Sequence, residues 1–252
     1  MFRKSIALMS VAVGLLSAGV TPVRAEPVRN IVLVHGAFAD GAGWRRVAEI
    51  LGKDGYAVSV VQEPLTSLAE DVAATRRVLE MQQGPAILVG HSYGGVVITE
   101  AGNAPNVVGL VYIAAFIPDQ GESALGLLSQ APAANGDIRA TKDDFLYLDP
   151  AAFRADFAAD VAPDVANFMA RSQAMLAKAA GAAPVTAAAW HRKKSWALVA
   201  SRDRNLNPDL ERRMAKRAGA TVIEVAASHA AYVSRPDEVA RLIERAAKAA
   251  QE

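Results

Sequence analysis

Four short stretches of this chain are apolar at nearly every position: residues 30–35 (NIVLVH), 85–89 (PAILV), 107–114 (VVGLVYIA) and 196–200 (WALVA). Successive side chains of a strand point to opposite faces. A strand with one wet face therefore alternates apolar and polar residues, and these stretches do not. Each must be covered on both faces, the condition met by a parallel sheet between two layers of helices. Residues 56–61 (YAVSVV) and 221–225 (TVIEV) supply two further strands. The segments between them read as helices. Residues 43–53 align Trp44, Val47, Ala48 and Leu51 on one face. Residues 67–81 align Leu68, Val72, Thr75 and Leu79, with Ser67 as cap and Glu70 three residues on. Residues 208–217 and 237–250 are the last two helices. The expected fold is α/β, a mostly parallel central sheet with helices on both faces. Between residues 119 and 190 the alternation stops, leaving helical stretches and no convincing strand. This segment is expected to be an inserted helical cap, with residues 26–118 and 191–252 as the core.

Between the strand at 85–89 and a helix beginning near Val96 lies Gly90-His91-Ser92-Tyr93-Gly94. Glycine is poor in strands and in helices, so the cluster marks a turn, and the few residues available make it sharp. The residue at its apex is pushed into a strained backbone conformation. Side chains two positions before and after it would collide, which Gly90 and Gly94 avoid. Ser92 gains from this. Its hydroxyl stands clear of the sheet, and N–H groups at the start of the next helix face it. G-x-S-x-G at a strand-to-helix turn is a nucleophile elbow.

A serine hydroxyl needs a base, and the base needs an orienting acid. In parallel α/β sheets, ligands bind outside the carboxyl ends of the strands, so both partners are sought in loops that leave the later strands. His229 follows the strand at 221–225 and is the expected base. His35 and His91 read as structural, and His191, beside Arg192-Lys193-Lys194, as a solvated exit from the cap. Asp203 follows the strand at 196–200 and gives the order Ser, Asp, His; Asp119, after the strand at 107–114, is the rival acid. The expected catalytic set is Ser92, Asp203 and His229. Oxyanion donors are expected from the backbone N–H of Tyr93 and from the turn HGAFADGAGW, with Ala37 first and Phe38 second. Phe38, Phe116, Leu125, Phe168 and Trp190 are expected to line the substrate pocket.

Composition removes other chemistries. The chain has no Cys, so thiol nucleophiles, thiolate ligands and disulfides are absent. Its four His lack H-x-x-x-H spacing, and neither a metal nor another cofactor is expected. The first residues are basic (Arg3, Lys4), an apolar stretch runs from Ile6 to Val20, and Val23-Arg24-Ala25 offers a small-residue cleavage site. This reads as a secretory signal peptide over residues 1–25, with an apolar stretch short for a membrane span. The mature protein is expected to be periplasmic or secreted, without stable membrane insertion. Removing the leader takes away Arg3, Lys4 and Arg24, leaving 24 basic residues against 26 acidic, and nothing resembles a nucleic-acid surface.

His35-Gly36-Ala37-Phe38, the run from Gly90 to Gly95, the late Asp203 and SHAAYVSRPDEV around His229 together resemble the α/β-hydrolase superfamily across nearly all of the chain after residue 25. The likeness is to single-domain bacterial serine esterase-like members with a small helical cap, related to plant methyl-ester esterases and hydroxynitrile lyases. Only residues 26–29 precede the first strong strand, so the superfamily's first two strands are expected to be short or missing. The resemblance implies Ser-dependent hydrolysis through an acyl-enzyme. Apolar cap residues such as Leu125, Leu128, Phe145 and Phe168 point to a small or medium uncharged ester or lactone. The fold hosts many activities. A non-hydrolytic enzyme of the same fold, hydroxynitrile-lyase-like or perhydrolase, and a non-catalytic ligand-binding member are the alternatives.

Overall fold

The computed structural model describes residues 27–134 and 136–250; the signal peptide expected at residues 1–25 lies outside them. In chain order the elements are β1 (Asn30–Val34), α1 (Arg45–Lys53), β2 (Ala57–Val61), α2 (Leu68–Glu80), β3 (Ala86–His91), α3 (Gly94–Ala101), β4 (Val107–Ile113), α4 (Ala124–Gln130), β5 (Ile138–Ala140), β6 (Phe145–Leu148), α5 (Pro150–Asp156), α6 (Pro163–Ser172), β7 (Leu176–Ala177), α7 (Lys178–Ala182), β8 (Lys194–Ala200), α8 (Pro208–Arg217), β9 (Thr221–Val225), α9 (Ala231–Ser234) and α10 (Pro236–Ala249).

Six strands form one parallel sheet in the order β2-β1-β3-β4-β8-β9. Its register sets Leu33 beside Val89, Val89 beside Val111 and Val111 beside Trp196, so the apolar runs meet in the middle of the sheet. β1 and β3 are buried at every position. The edge strands β2 and β9 carry the polar interruptions Ser59 and Glu224; β2 is largely half-buried and β9 is mostly exposed. α1 and α10 pack together, with α10 across β3, β4 and β8; α2 and α3 pack together, with α3 across β1, β3 and β4. The helices thus cover both faces of the mostly parallel sheet. α2 starts as its sequence predicts, with Ser67 Oγ accepting the Glu70 N–H at 3.2 Å and Leu68, Val72, Thr75 and Leu79 buried. Among the described residues no strand precedes β1, and no helix is long and apolar enough to cross a membrane.

Between β4 and β8 the chain leaves the sheet. The inserted region is largely helical, with α4 to α7. The expectation that residues 119–190 hold no strand is corrected: β5, β6 and β7 form a three-stranded antiparallel sheet. These strands span three, four and two residues. That is too short for a period-two pattern to separate from the alanine-rich helical stretches around them.

Candidate active site

Ser92 sits at the end of β3 with φ +53°, a left-handed conformation that non-glycine residues seldom adopt. The surrounding glycines are required by contact. A Cβ on Gly90 would lie 2.5 Å from the Gly94 carbonyl oxygen, and one on Gly94 would lie 2.6 Å from the His35 carbonyl oxygen. The strained residue is tied to the sheet: Ser92 N–H donates to Ile113 O at 3.3 Å, and Ser92 O accepts from Phe116 N–H at 3.2 Å. α3 begins two residues later, with Tyr93 as its N-cap.

The structure brings Ser92, His229 and Asp203 together. Ser92 Oγ lies 2.8 Å from His229 Nε2, and His229 Nδ1 lies 2.5 Å from Asp203 Oδ2. Asp203 leaves the end of β8 and His229 the end of β9, so both reach the elbow from the carboxyl edge of the sheet. The second carboxylate oxygen of Asp203 accepts the N–H groups of Asn205 at 2.8 Å and Leu206 at 2.9 Å. The acid is thereby oriented with Oδ2 toward the imidazole. All three residues are buried. With the Nδ1–H donated to Asp203, Nε2 is free to accept the serine proton. This is a serine-hydrolase active site.

Three buried titratable residues stand behind it. A carbonyl oxygen can only accept, so the 3.0 Å contact between His91 Nε2 and His229 O makes His91 the donor. His91 packs against the rings of His229, Phe157 and Tyr232. Burial, reinforced by neighbouring His229, holds its pKa well below the ordinary histidine value, so it stays neutral and pins the loop of the base. The sequence reading of His91 as structural missed this link to His229. Glu211 on α8 is buried behind the acid; burial and the charge of Asp203 push its carboxyl well above the usual range. His35 is likewise held below its ordinary pKa by burial, its Nε2 accepting the Glu63 N–H at 3.0 Å.

Asp119 does not reach His229. It lies at the start of the insertion and its Oδ1 contacts His191 Nε2 at 2.8 Å, on an exposed surface. Phe38 has φ +62°, and its N–H donates to Ala174 O in the insertion at 2.9 Å.

A cavity of about 50 Å³ lies at Ser92. Ala37, Phe38, Tyr93, Phe116 and Leu125 all border it. Leu128, Ile138, Leu146 and Leu176 complete its insertion side. The sequence reading did not pick out Ile138, Leu146 and Leu176 because they stand on or beside strands it did not expect. Leu125, Leu128 and Ile138 also border an outer groove of about 400 Å³, so one apolar wall divides it from the cavity.

Two expected pocket residues stand elsewhere. α6 buries Ala166 and Ala170, which leaves Phe168 pointing outward, 67% exposed, beside a separate groove. Trp190 is buried at the exit of the insertion, where its Nε1–H donates to Pro118 O at 2.8 Å and its ring lies tilted against that of His191. Neither borders the cavity at Ser92. Among the described residues, no group of three or more His, Cys, Asp or Glu side chains could hold a metal ion.

Residues 31–242 match a family described as the alpha/beta hydrolase family. Over 116 residues the chain is 36% identical to a carbendazim hydrolyzing esterase of Nocardioides sp. (strain SG-4G), a match covering 40% of this chain and 48% of that protein. It thus spans about half the length of that relative. Over 242 residues it is 28% identical to the alpha/beta hydrolase nvfD of Aspergillus novofumigatus (strain IBT 16806), covering 86% and 96%. The crystal structure of a pyrethroid hydrolase from Sphingobium faniae JZ-2 superposes with a TM-score of 0.75 at 21% identity, covering 88% of this chain and 98% of that one. At that identity the likeness is one of fold.

Proposed function

Because this chain belongs to the alpha/beta hydrolase family and holds a serine-hydrolase active site, we propose that it hydrolyses small or medium uncharged carboxylic esters, lactones included, through an acyl-enzyme on Ser92. The observation that carries this reading is the unbroken relay from Asp203 through His229 to Ser92. Ser92 Oγ attacks the ester carbonyl carbon as His229 Nε2 takes its proton. The oxyanion is held by the N–H groups of Tyr93 and Ala37; the Phe38 N–H is already spent on Ala174, which favours Ala37 as the donor from this turn. His229 returns the proton to the departing alcohol. Water then attacks the acyl-enzyme with His229 as base, releasing the acid and restoring Ser92.

The apolar wall of Leu125, Leu128, Leu146 and Leu176 supports an uncharged substrate. The relatives include a protein named as an esterase. In this reading residues 119–190 are a specificity cap on a core of residues 26–118 and 191–252. The protein is a bacterial esterase-like member of the family, exported to the periplasm or beyond on the leader at residues 1–25. The intact relay weighs against a purely ligand-binding role.

A fluorophosphonate probe on the purified protein tests this reading. It is expected to label Ser92, and the label is expected to vanish in Ser92→Ala. Nitrophenyl esters of increasing acyl length then define the substrate range. Labelling at another residue, or ester turnover that survives Ser92→Ala at the parental rate, overturns it.

A further inference from the structure

Asp71 lies on the apolar stripe of α2, three residues after Leu68 and four before Thr75, and is fully buried. Its two carboxylate oxygens serve different partners. Oδ2 accepts the phenol O–H of Tyr93 at 2.9 Å, and Oδ1 accepts the N–H of Leu65 at 2.8 Å. Both partners are neutral donors, and an acid buried on such terms costs stability. Leu65 is itself held at φ +58°, a second left-handed residue that the surroundings must enforce. Its carbonyl accepts the N–H of Ala177 in β7 at 2.8 Å. The neighbour of Ala177, Leu176, borders the cavity at Ser92. One side chain on α2 therefore joins the elbow to the wall of the insertion.

Resting on the reading of the Tyr93 N–H as an oxyanion donor, we propose that Asp71 is a positioning residue with two attachments. Through the phenol it fixes Tyr93, and with it the N–H that faces the developing oxyanion. Through Leu65 it fixes β7, and with it the Leu176 side of the substrate cavity. Asp71 touches neither substrate nor Ser92. It sets the distance between the group that stabilises the transition state and a wall that receives the substrate.

The two attachments can be cut separately, with turnover of p-nitrophenyl butyrate as the readout. Tyr93→Phe removes only the elbow attachment. It is expected to lower kcat about tenfold with KM within about twofold, because a displaced oxyanion donor is felt in the transition state and little in the ground state. Asp71→Ala removes both and is expected to lower kcat by a similar factor while also raising KM. Asp71→Asn is expected to recover part of both losses relative to Asp71→Ala. Its amide oxygen still accepts from Leu65, and its amide N–H can donate to the Tyr93 oxygen. A purely structural role would lower the melting temperature and leave the kcat of the folded fraction unchanged.

Parental kcat in Tyr93→Phe overturns the proposal, as does Asp71→Asn performing no better than Asp71→Ala. Where Asp71→Ala does not fold, the kcat and KM of Tyr93→Phe decide. Ser92→Ala separates this proposal from the one beneath it. Turnover that survives Ser92→Ala overturns the hydrolase reading. Turnover that Ser92→Ala abolishes and Tyr93→Phe leaves intact overturns only the role of Asp71.

Discussion

The parallel sheet and the insertion between β4 and β8 meet at one cavity but are built on different terms. The sheet supplies Ser92, Asp203 and His229 from the ends of three strands held in register by the ladder, β3 and β8 between neighbours on both sides and β9 against β8. Each catalytic side chain is held by directional constraints: a strained φ, two backbone N–H groups on the acid, and a histidine donor on the loop of the base. The insertion supplies short elements and an apolar wall of leucines, whose contacts are not directional. Directional hydrogen bonds hold a reacting geometry closely, whereas an apolar wall can be reshaped by changing one side chain. On the proposed reading, chemistry belongs to the sheet and selectivity to the insertion. This division predicts that substitutions in the two regions have effects of different kinds.

The largest effect belongs to the sheet. Asp203→Asn keeps the shape of the acid, and its amide oxygen still accepts from Asn205 and Leu206. Its amide N–H₂ then faces His229 Nδ1 and favours the tautomer that carries no acceptor toward Ser92. Turnover of a nitrophenyl ester is expected to fall by about four orders of magnitude, equally for short and long acyl chains. A loss that depended on acyl length would place Asp203 in substrate selection and break the division.

An intermediate effect belongs to the insertion. Leu128 on α4 borders both the cavity at Ser92 and the outer groove of about 400 Å³. Leu128→Ala thins the wall between them. The ratio of kcat/KM for p-nitrophenyl hexanoate over p-nitrophenyl acetate is expected to rise about tenfold, the scale on which apolar pockets discriminate. The acetate rate itself is expected to change little. An unchanged ratio would mean that the outer groove takes no part in binding acyl chains.

The same contrast explains what could be read from sequence. The interior strands are apolar at nearly every position because both faces are covered. The elbow was legible because Gly90 and Gly94 answer a steric demand that any other residue would violate. Asp203 and His229 were legible because the sheet's direction decides which loops can reach Ser92. The insertion was legible only as an interruption. β5 to β7 are shorter than the repeats that would reveal them, and an apolar residue such as Phe168 does not say which face of its helix is buried. Asp71 hid for another reason. An acid in the first turn of a helix favours the macrodipole and reads as solvated, although its place on the Leu68–Thr75 stripe was a signal of burial.

The smallest effect is expected at the junction of the two regions, where Asp119 opens the insertion and His191 closes it. The two side chains meet at 2.8 Å with 33% and 55% of their surfaces exposed. Exposed side-chain contacts of this kind, charged or not, contribute between nothing and about 1 kcal/mol. The junction is also held independently: Trp190 Nε1–H donates to Pro118 O, Gly121 N–H donates to Val185 O at 2.8 Å, and Arg217 pairs with Glu122. Removing one exposed contact from such a set leaves the insertion in place. Asp119→Asn is therefore expected to change kcat/KM by less than about twofold, under 0.5 kcal/mol in barrier, with the acyl-length ratio unchanged. Measured beside Asp203→Asn at one pH on one ester, it sets the scale for both regions. A loss approaching that of Asp203→Asn would move the orienting acid to the exit of β4 and dissolve the separation between catalytic sheet and selective insertion. A change confined to the acyl-length ratio would extend the selective region down to its neck.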